Sequence, residues 1–255
     1  MLRALRPLAR RVLGVERAPT YFLPWLTRSG LDCTLILNNI EARFKVGASQ
    51  GPFPISVCQY DADGAVVRRY EATLVDPTDT AEVRLEPTAG GCGFVTVDVT
   101  RLHTDLYVTL SNGDAYTATH GRHEFIEHYP ALTRALMAVL GAPLRIVGRT
   151  IPAFVRHQYV YGGPESRSHL LLMNLSNVTN RIRISASWGG QTLRARLVTL
   201  PPRGSRLLDV SALTPLVGPL AVRRLRLEGN AWFNLYVVGA GPRDTAGLLS
   251  LMHVK

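Results

Sequence analysis

A short apolar stretch decides the fold of this chain because it occurs twice, as "DLYVTLSNGD" at residues 105–114 and as "NLYVVGAGPRD" at residues 234–244. The segments upstream of it recur in the same order. They are "TLILNN" (34–39) with "HLLLMN" (169–174), and "DADGAVVRRYEATL" (61–74) with "SWGGQTLRARLVTL" (187–200). The two copies lie much further apart than the few tens of residues of a solenoid repeat. The sequence therefore predicts a duplicated domain.

Apolar and polar residues alternate along short runs in each copy. Ile182 and Ile184 alternate with polar residues, and so do Val95, Val97 and Val99. A period of two, rich in β-branched side chains and interrupted by Gly, Pro, Asn and Asp, is typical of half-buried antiparallel strands. The same alternation predicts a further inward-facing set, Leu193, Ala195 and Leu197. Because pairing two sheets hides the apolar face of each, we expect a β-sandwich in each copy.

Three segments of the second copy, "LLLMNLSN", "TLPPRGS" and "LLDVSAL", resemble bacterial immunoglobulin-like or fibronectin-III-like sandwiches. The resemblance lies in the spacing of strands and turns along both copies. It implies an all-β fold of two tandem antiparallel β-sandwich domains. It also implies that the domains bind partners and do not catalyse a reaction.

Two segments have helical character. Residues 129–141 begin near Pro130 and end at Gly141, which predicts a helix that joins the two domains. Residues 2–14 have a similar apolar spacing, which predicts a short N-terminal helix. The predicted organisation is a basic amphipathic helix (1–20), an acidic sandwich (21–126), a helical linker (127–148) and a basic sandwich (149–255).

The two copies differ in the sign of their charge. The chain has a net charge of +10, to which residues 21–126 contribute −5 and residues 149–255 contribute +10. The basic excess includes three pairs of arginines separated by one residue, so each pair projects from one side of its strand. The pairs are Arg181 with Arg183, Arg194 with Arg196, and Arg224 with Arg226. If these strands share a sheet, six guanidinium groups line one exposed face.

Such a face has three interpretations. It is an ordinary solvated sheet exterior, or it binds an anion, because guanidinium groups form paired hydrogen bonds with carboxylates and phosphates. The anion would be an acidic protein surface, a lipid headgroup or an acidic polysaccharide. In the third interpretation the face attracts the acidic first domain, within one molecule or head to tail between molecules.

The stretch "HGRHEFIEH" at residues 120–128 concentrates potential metal ligands. They are His120, His123, Glu124, Glu127 and His128. The spacing does not match HExxH, and on a strand neighbouring side chains point in opposite directions. We therefore expect a polar junction between a strand and the connecting helix, with no metal and no cofactor. A metal-dependent enzyme is the minority hypothesis.

Aromatic residues leave carbohydrate binding open as an alternative function. Six of them fall on expected edges or loops, namely Tyr21, Phe22, Trp25, Tyr159, Tyr161 and Trp188. Trp232, Phe233 and Tyr236 instead fit core strands, and packing is the commoner use of aromatic residues. Nucleic acid is an unlikely partner, because no DNA- or RNA-binding motif is present and no aromatic stacking platform accompanies the arginine pairs.

The cysteines and the N-terminus bear on location. Cys33, Cys58 and Cys92 are widely spaced, which argues against a disulfide framework or a zinc site.

Residues 1–14 combine arginines with leucines, so they either dock on the first domain or lie on an anionic membrane surface. No apolar run has signal-peptide or membrane-spanning length. We expect a cytoplasmic, non-enzymatic binding or assembly protein, peripheral to a membrane if residues 1–14 bind lipid.

Overall fold

The computed structural model describes residues 12–27, 31–98, 102–103, 106–112, 116–162, 167–188, 191–210, 213, 221–240 and 249–253. Most of these residues form β-strands, as the alternating pattern predicts. The strands are β1 (Glu16–Leu26), β2 (Asp32–Asn38), β3 (Phe53–Tyr60), β4 (Val66–Leu74), β5 (Thr80–Arg84), β6 (Cys92–Val97), β7 (Tyr107–Ser111), β8 (Tyr116–His120), β9 (Arg122–His128), β10 (Phe154–Gly162), β11 (Arg167–Asn174), β12 (Asn180–Trp188), β13 (Gln191–Leu200), β14 (Ser205–Asp209), β15 (Ala221–Gly229), β16 (Phe233–Ala240) and β17 (Leu249–His253). A short 3-10 helix spans Ile40–Phe44, and helix α1 spans Ala131–Ile146.

The strands form four antiparallel sheets. Sheet 1 has the order β4-β3-β6-β1-β9, sheet 2 the order β5-β2-β7-β8, sheet 3 the order β14-β11-β16-β17, and sheet 4 the order β10-β15-β12-β13. An all-β architecture of this kind is compatible with β-sandwiches.

The duplication that the sequence predicts is present in the strand order. Replacing β1 to β8 by β10 to β17, one for one, converts sheet 2 into sheet 3 and the first four strands of sheet 1 into sheet 4. The pairing also agrees residue by residue, because Ile36 lies opposite Tyr107 and the corresponding Leu171 lies opposite Tyr236. Strand β9 is an addition to the first copy.

Sheet 3 is buried on both faces. Its residues Leu171 and Tyr236 belong to one hydrophobic cluster with sheets 1 and 2, whereas its residues Leu170 and Val237 belong to a second cluster with sheet 4. This explains why β11 and β16 have nearly continuous apolar runs. The two copies thus share apolar contacts, and the division into two domains stays a prediction.

Helix α1 differs from its predicted bounds. It starts one residue after Pro130, as expected, but it continues past Gly141 and through Pro143 to Ile146. Gly141 is a contact position and not the helix end, because a Cβ there would lie 2.9 Å from Arg181 Nη1. The predicted N-terminal helix falls almost wholly on residues outside the described part of the chain. No helix of the described residues has the length and apolarity needed to cross a membrane.

Candidate binding surface

Four of the six predicted arginines lie together on the outer side of sheet 4, turned away from sheet 3. Arg183 lies opposite Glu228, and Ser185 lies opposite Arg226. Side chains directly opposite each other in antiparallel strands project to the same face. Arg181 and Arg224 are two residues away along the same strands and share this face. We call this surface the basic face and define it by Arg181, Arg183, Arg224 and Arg226 together with His157 and Tyr159 of β10.

Arg194 and Arg196 lie on the other side of the same sheet. Arg196 is opposite Ile184 and Arg194 is opposite Ala186, and both of these partners are buried in the core between sheets 3 and 4. The two arginines remain exposed because β13 is the edge strand of sheet 4. The expectation of six guanidinium groups on one face is therefore wrong for this pair.

The predicted inward-facing set on β13, Leu193, Ala195 and Leu197, is wrong. Val198 and Leu200 are buried, whereas Ala195 is exposed and Leu197 is half-buried on the outer side. The side chain of Leu193 lies outside the described part of the structure. The strand carries apolar residues in both phases, and the core takes the phase that contains Val198 and Leu200. Ile182, Ile184, Val95 and Val97 are buried as predicted, and Val99 is not among the described residues.

Glu228 organises part of the basic face. Its Oε2 lies 3.3 Å from Arg183 Nη1, and its Oε1 lies 2.7 Å from Arg226 Nη2. The carboxylate therefore accepts hydrogen bonds from arginines on two neighbouring strands and holds them in fixed positions. Among the described residues, Arg224 has no acidic partner, and its guanidinium can meet an external anion without breaking an ion pair.

Two residues of β10 complete the face, namely Tyr159, which the sequence pattern marks only as a candidate sugar contact, and His157, which no sequence pattern singles out. Tyr159 lies opposite Arg224 and is 53% exposed, and His157 lies opposite Arg226. Burial, followed by the charges of Arg224 and Arg226, lowers the pKa of His157 below its usual value of 6.5. An aromatic ring does stand beside an arginine pair here, contrary to expectation. The strand order that brings β10 next to β15 is a tertiary feature.

The Arg181 end of the basic face is bounded by helix α1. The guanidinium of Arg181 approaches Gly141 of the helix, and Thr150 Oγ1 donates a hydrogen bond to Arg181 O at 2.8 Å. Helix α1 therefore limits the basic face at one end, and Arg224 and Arg226 mark its open part.

The stretch 120–128 forms the end of β8 and the whole of β9, the edge strand of sheet 1, so that its side chains point alternately to the two faces of a sheet. His123 packs edge-on against Tyr21 at 5.4 Å between ring centroids. Asn234 Nδ2 donates to Glu124 Oε1 at 3.4 Å. His120 Nδ1 lies 3.0 Å from Gly121 O, and His128 pairs with Glu16 on β1. Among the described residues, no three histidine, cysteine or acidic side chains lie close enough to hold a metal ion.

Glu127 connects the two copies. It is fully buried, accepts a hydrogen bond from Tyr129 OH at 2.6 Å and lies 3.2 Å from Arg17 Nε. Its backbone N–H donates to Leu175 O, and its carbonyl accepts from Asn177 N. A buried carboxylate that is paired in this way fixes the junction between β9 and the loop after β11.

Three of the six aromatic residues proposed for carbohydrate binding are not available to a sugar. Tyr21, Phe22 and Trp25 are buried in β1, where Trp25 Nε1 donates to Tyr60 O at 2.9 Å. The prediction that they lie at edges or loops is wrong, because β1 is covered on both sides. Tyr159 is exposed, whereas the side chains of Tyr161 and Trp188 lie outside the described part of the structure. Phe233 and Tyr236 are buried, as expected of core residues.

All three cysteines are buried. Burial raises the pKa of the Cys33 thiol to about 12, so that this thiol stays protonated at neutral pH. A protonated, enclosed thiol is a poor nucleophile. No protein-family model and no curated protein sequence matches this chain.

Proposed function

We propose that this protein is a non-enzymatic binding protein whose basic face binds a partner that carries carboxylate groups, in the first place an acidic protein surface. The guanidinium groups of Arg224 and Arg226 lie two residues apart on one strand, a spacing that suits adjacent carboxylates. Planar guanidinium groups donate paired hydrogen bonds to such groups. Glu228 fixes Arg226 and Arg183, which lowers the entropic cost of ordering these side chains on binding.

One observation carries this proposal, namely that the same side of the sheet is a contact surface in the first copy. There, the side of sheet 1 turned away from sheet 2 meets sheet 3 of the second copy. Phe22 packs edge-on against Tyr236 at 6.2 Å, and Arg203 Nη1 donates to Tyr60 OH at 3.1 Å. The second copy has the corresponding side exposed and lined with arginine. We infer that a separate partner covers it.

Under this proposal each copy is an immunoglobulin-like or fibronectin-III-like sandwich of the bacterial type that acts as an interaction module. The whole chain is then a two-domain structural or assembly protein. A second molecule is one source of the acidic surface, since residues 21–126 carry a net charge of −5. The outer side of sheet 2 corresponds to the side of sheet 3 that meets sheet 1, so head-to-tail contacts would repeat the internal one.

A direct test is the binding of labelled poly-L-glutamate to the full chain and to two double variants. Arg224→Glu with Arg226→Glu alters the basic face, and Arg194→Glu with Arg196→Glu makes the same charge change on the opposite side of sheet 4. We expect about tenfold weaker binding for the first variant, if each exposed charge contact contributes roughly 0.7 kcal/mol. The control variant should lose less than half as much binding free energy as the basic-face variant. Equal losses in both variants would show general electrostatic attraction and would overturn the proposal.

Sedimentation velocity separates self-association from binding to another protein. If a second copy is the partner, the unmodified chain will form larger species at low salt that dissociate at high salt, because salt screens exposed charges. The basic-face variant will then stay monomeric at low salt. If a second copy is not the partner, the unmodified chain will be monomeric at both salt concentrations, and the partner is a different acidic protein.

Carbohydrate binding is a second candidate function, favoured by Tyr159. Its ring is exposed directly beside Arg224, and a sugar ring with a carboxylate would stack on the tyrosine while its charge meets the arginine. Polygalacturonate replaces poly-L-glutamate in the same assay. Tyr159→Ala should weaken polygalacturonate binding but leave poly-L-glutamate binding unchanged. If Tyr159→Ala binds both polymers as well as the unmodified chain does, this ring has no role in carbohydrate binding.

A further inference from the structure

Helix α1 makes little contact with the rest of the molecule. Of its 16 residues, only Thr133 and Gly141 are buried. Thr133 Oγ1 donates to Leu13 O at 2.8 Å, and Gly141 allows the close approach of Arg181. Met137 is half-buried against Tyr129 and Val178, so the helix rests on the sheets along one side, and the rest of its circumference faces outward.

The outward side of the helix is apolar. At about 100° per residue, its exposed large residues fall within roughly 120° of the circumference, which places them along one side of a helix about 24 Å long. They are between 46% and 87% exposed and comprise Leu132, Leu136, Val139, Leu140 and Ile146. We call this set the apolar stripe. Leu136 and Leu140 also border an apolar groove of about 290 Å³ beneath the helix, with Leu13 and Phe154 on its other side. A continuous apolar patch of this kind marks an interaction surface.

Along the chain, the charged residues in and next to helix α1 are all positive. No acidic residue occurs between positions 128 and 164, and the helix region contains Arg134, Arg145 and Arg149. The nearest preceding carboxylate, Glu127, is buried and paired with Arg17. A second copy of the helix would bring arginine against arginine, which disfavours a helix pair between two molecules. The complementary surface is apolar and carries negative charge.

We propose that helix α1 lies in the headgroup layer of an anionic lipid bilayer, with the apolar stripe inserted and its arginines at the phosphates. Bulky aliphatic side chains beside arginines are the composition of helices that lie in a membrane interface. Each arginine near an anionic surface strengthens such binding by several fold. The site is separate from the basic face and does not depend on the function proposed for it.

The test is flotation of the full chain with vesicles of phosphatidylcholine alone or mixed with phosphatidylglycerol. We expect binding to the mixed vesicles only, with loss at high salt. Leu132→Gln with Val139→Gln removes two exposed apolar side chains without changing charge, and it should lower the partition coefficient by about tenfold or more. Phe44→Gln with Val46→Gln is the matched control, because both residues are at least as exposed as Val139 and lie away from the helix. The control should bind like the unmodified chain.

A second variant tests the charges. Arg134→Gln with Arg145→Gln should weaken binding to mixed vesicles about tenfold, and far-ultraviolet circular dichroism should show that every variant is folded. Three results would overturn the proposal. They are the absence of binding to mixed vesicles, equal binding by the Leu132/Val139 variant and the unmodified chain, and loss of binding only when residues 2–11 are deleted or when Arg224 and Arg226 are replaced by glutamate. If only the Arg224 and Arg226 variant loses binding, the basic face recognises the lipid headgroup in place of helix α1.

Discussion

Tyr107 and Tyr236 occupy equivalent positions in the two copies, yet Tyr107 is 43% exposed and Tyr236 is fully buried. Tyr107 lies opposite Ile36, and Tyr236 lies opposite the corresponding Leu171. The difference arises because this side of sheet 3 meets sheet 1. The hydroxyl of Tyr236 also donates to His120 O, at the end of β8 in sheet 2, at 3.2 Å. The same strand position is thus a surface residue in one copy and part of the junction between the copies in the other.

We expect Tyr236→Ala to be strongly destabilising. Removing a large, fully buried aromatic side chain lowers the free energy of unfolding by about 3 to 5 kcal/mol. Tyr107→Ala is the matched control, and a change at an exposed position should stay within about 1 kcal/mol. Urea denaturation with circular dichroism measures both as shifts of the midpoint. Similar shifts for the two variants would mean that sheet 3 is not covered by sheet 1.

The buried carboxylate of Glu127 gives a second prediction. Glu127→Ala leaves the guanidinium of Arg17 and the hydroxyl of Tyr129 without their acceptor. Removing one partner of a fully buried ion pair costs about 3 to 5 kcal/mol of unfolding free energy. Because the side chain of Arg17 is 30% exposed, we expect a cost at the lower end of this range. The measurement is again urea denaturation, at constant salt.

An exposed ion pair provides the comparison for Glu127. Asp32 and Arg84 lie 2.5 Å apart, but their side chains are 64% and 74% exposed. Asp32→Ala should therefore cost less than about 1 kcal/mol, because solvent screens exposed pairs. If Glu127→Ala were no more costly than Asp32→Ala, the junction formed by β9 and Asn177 would not depend on this carboxylate.

The third prediction concerns the protonation of His157. Burial and, after it, the positive charges of Arg224 and Arg226 lower its pKa below 6.5. Above pH 6.5 His157 is neutral in both the folded and the unfolded chain and makes no pH-dependent contribution. As the pH falls from 6.5 towards the lower folded pKa, the unfolded chain takes up a proton that the folded chain resists, and the stability contributed by His157 falls.

Nuclear magnetic resonance of the imidazole carbons measures this pKa, with His157→Gln to assign the signal. Arg224→Ala with Arg226→Ala should raise the pKa part of the way towards 6.5, since burial still acts. A polyanion bound to the basic face should raise it as well. A pKa that does not respond to either change would mean that the two arginines do not act on His157.

Several features of the fold follow from local patterns. The alternation of Ile182 and Ile184 with polar residues reports a strand with one buried side, and the recurrence of "LYV" reports equivalent strands. Both depend on neighbouring residues only, because side chains alternate along every strand whatever its partners. The start of helix α1 is likewise visible at Pro130. Its true end is not, because Gly141 serves a contact with Arg181, which lies 40 positions further along the chain.

The sequence by itself determined the β-class, the duplication and the surplus of arginine in the second copy, since composition and period two are local properties. Tertiary structure alone decided which arginines share a surface. Residues 193–200 offer apolar side chains in both phases, and the pairing of β13 with β12 selects the phase of Val198 and Leu200, which turns Arg194 and Arg196 away from Arg181 and Arg183. It also decided that sheet 3 covers one side of the first copy, while the corresponding side of the second stays exposed.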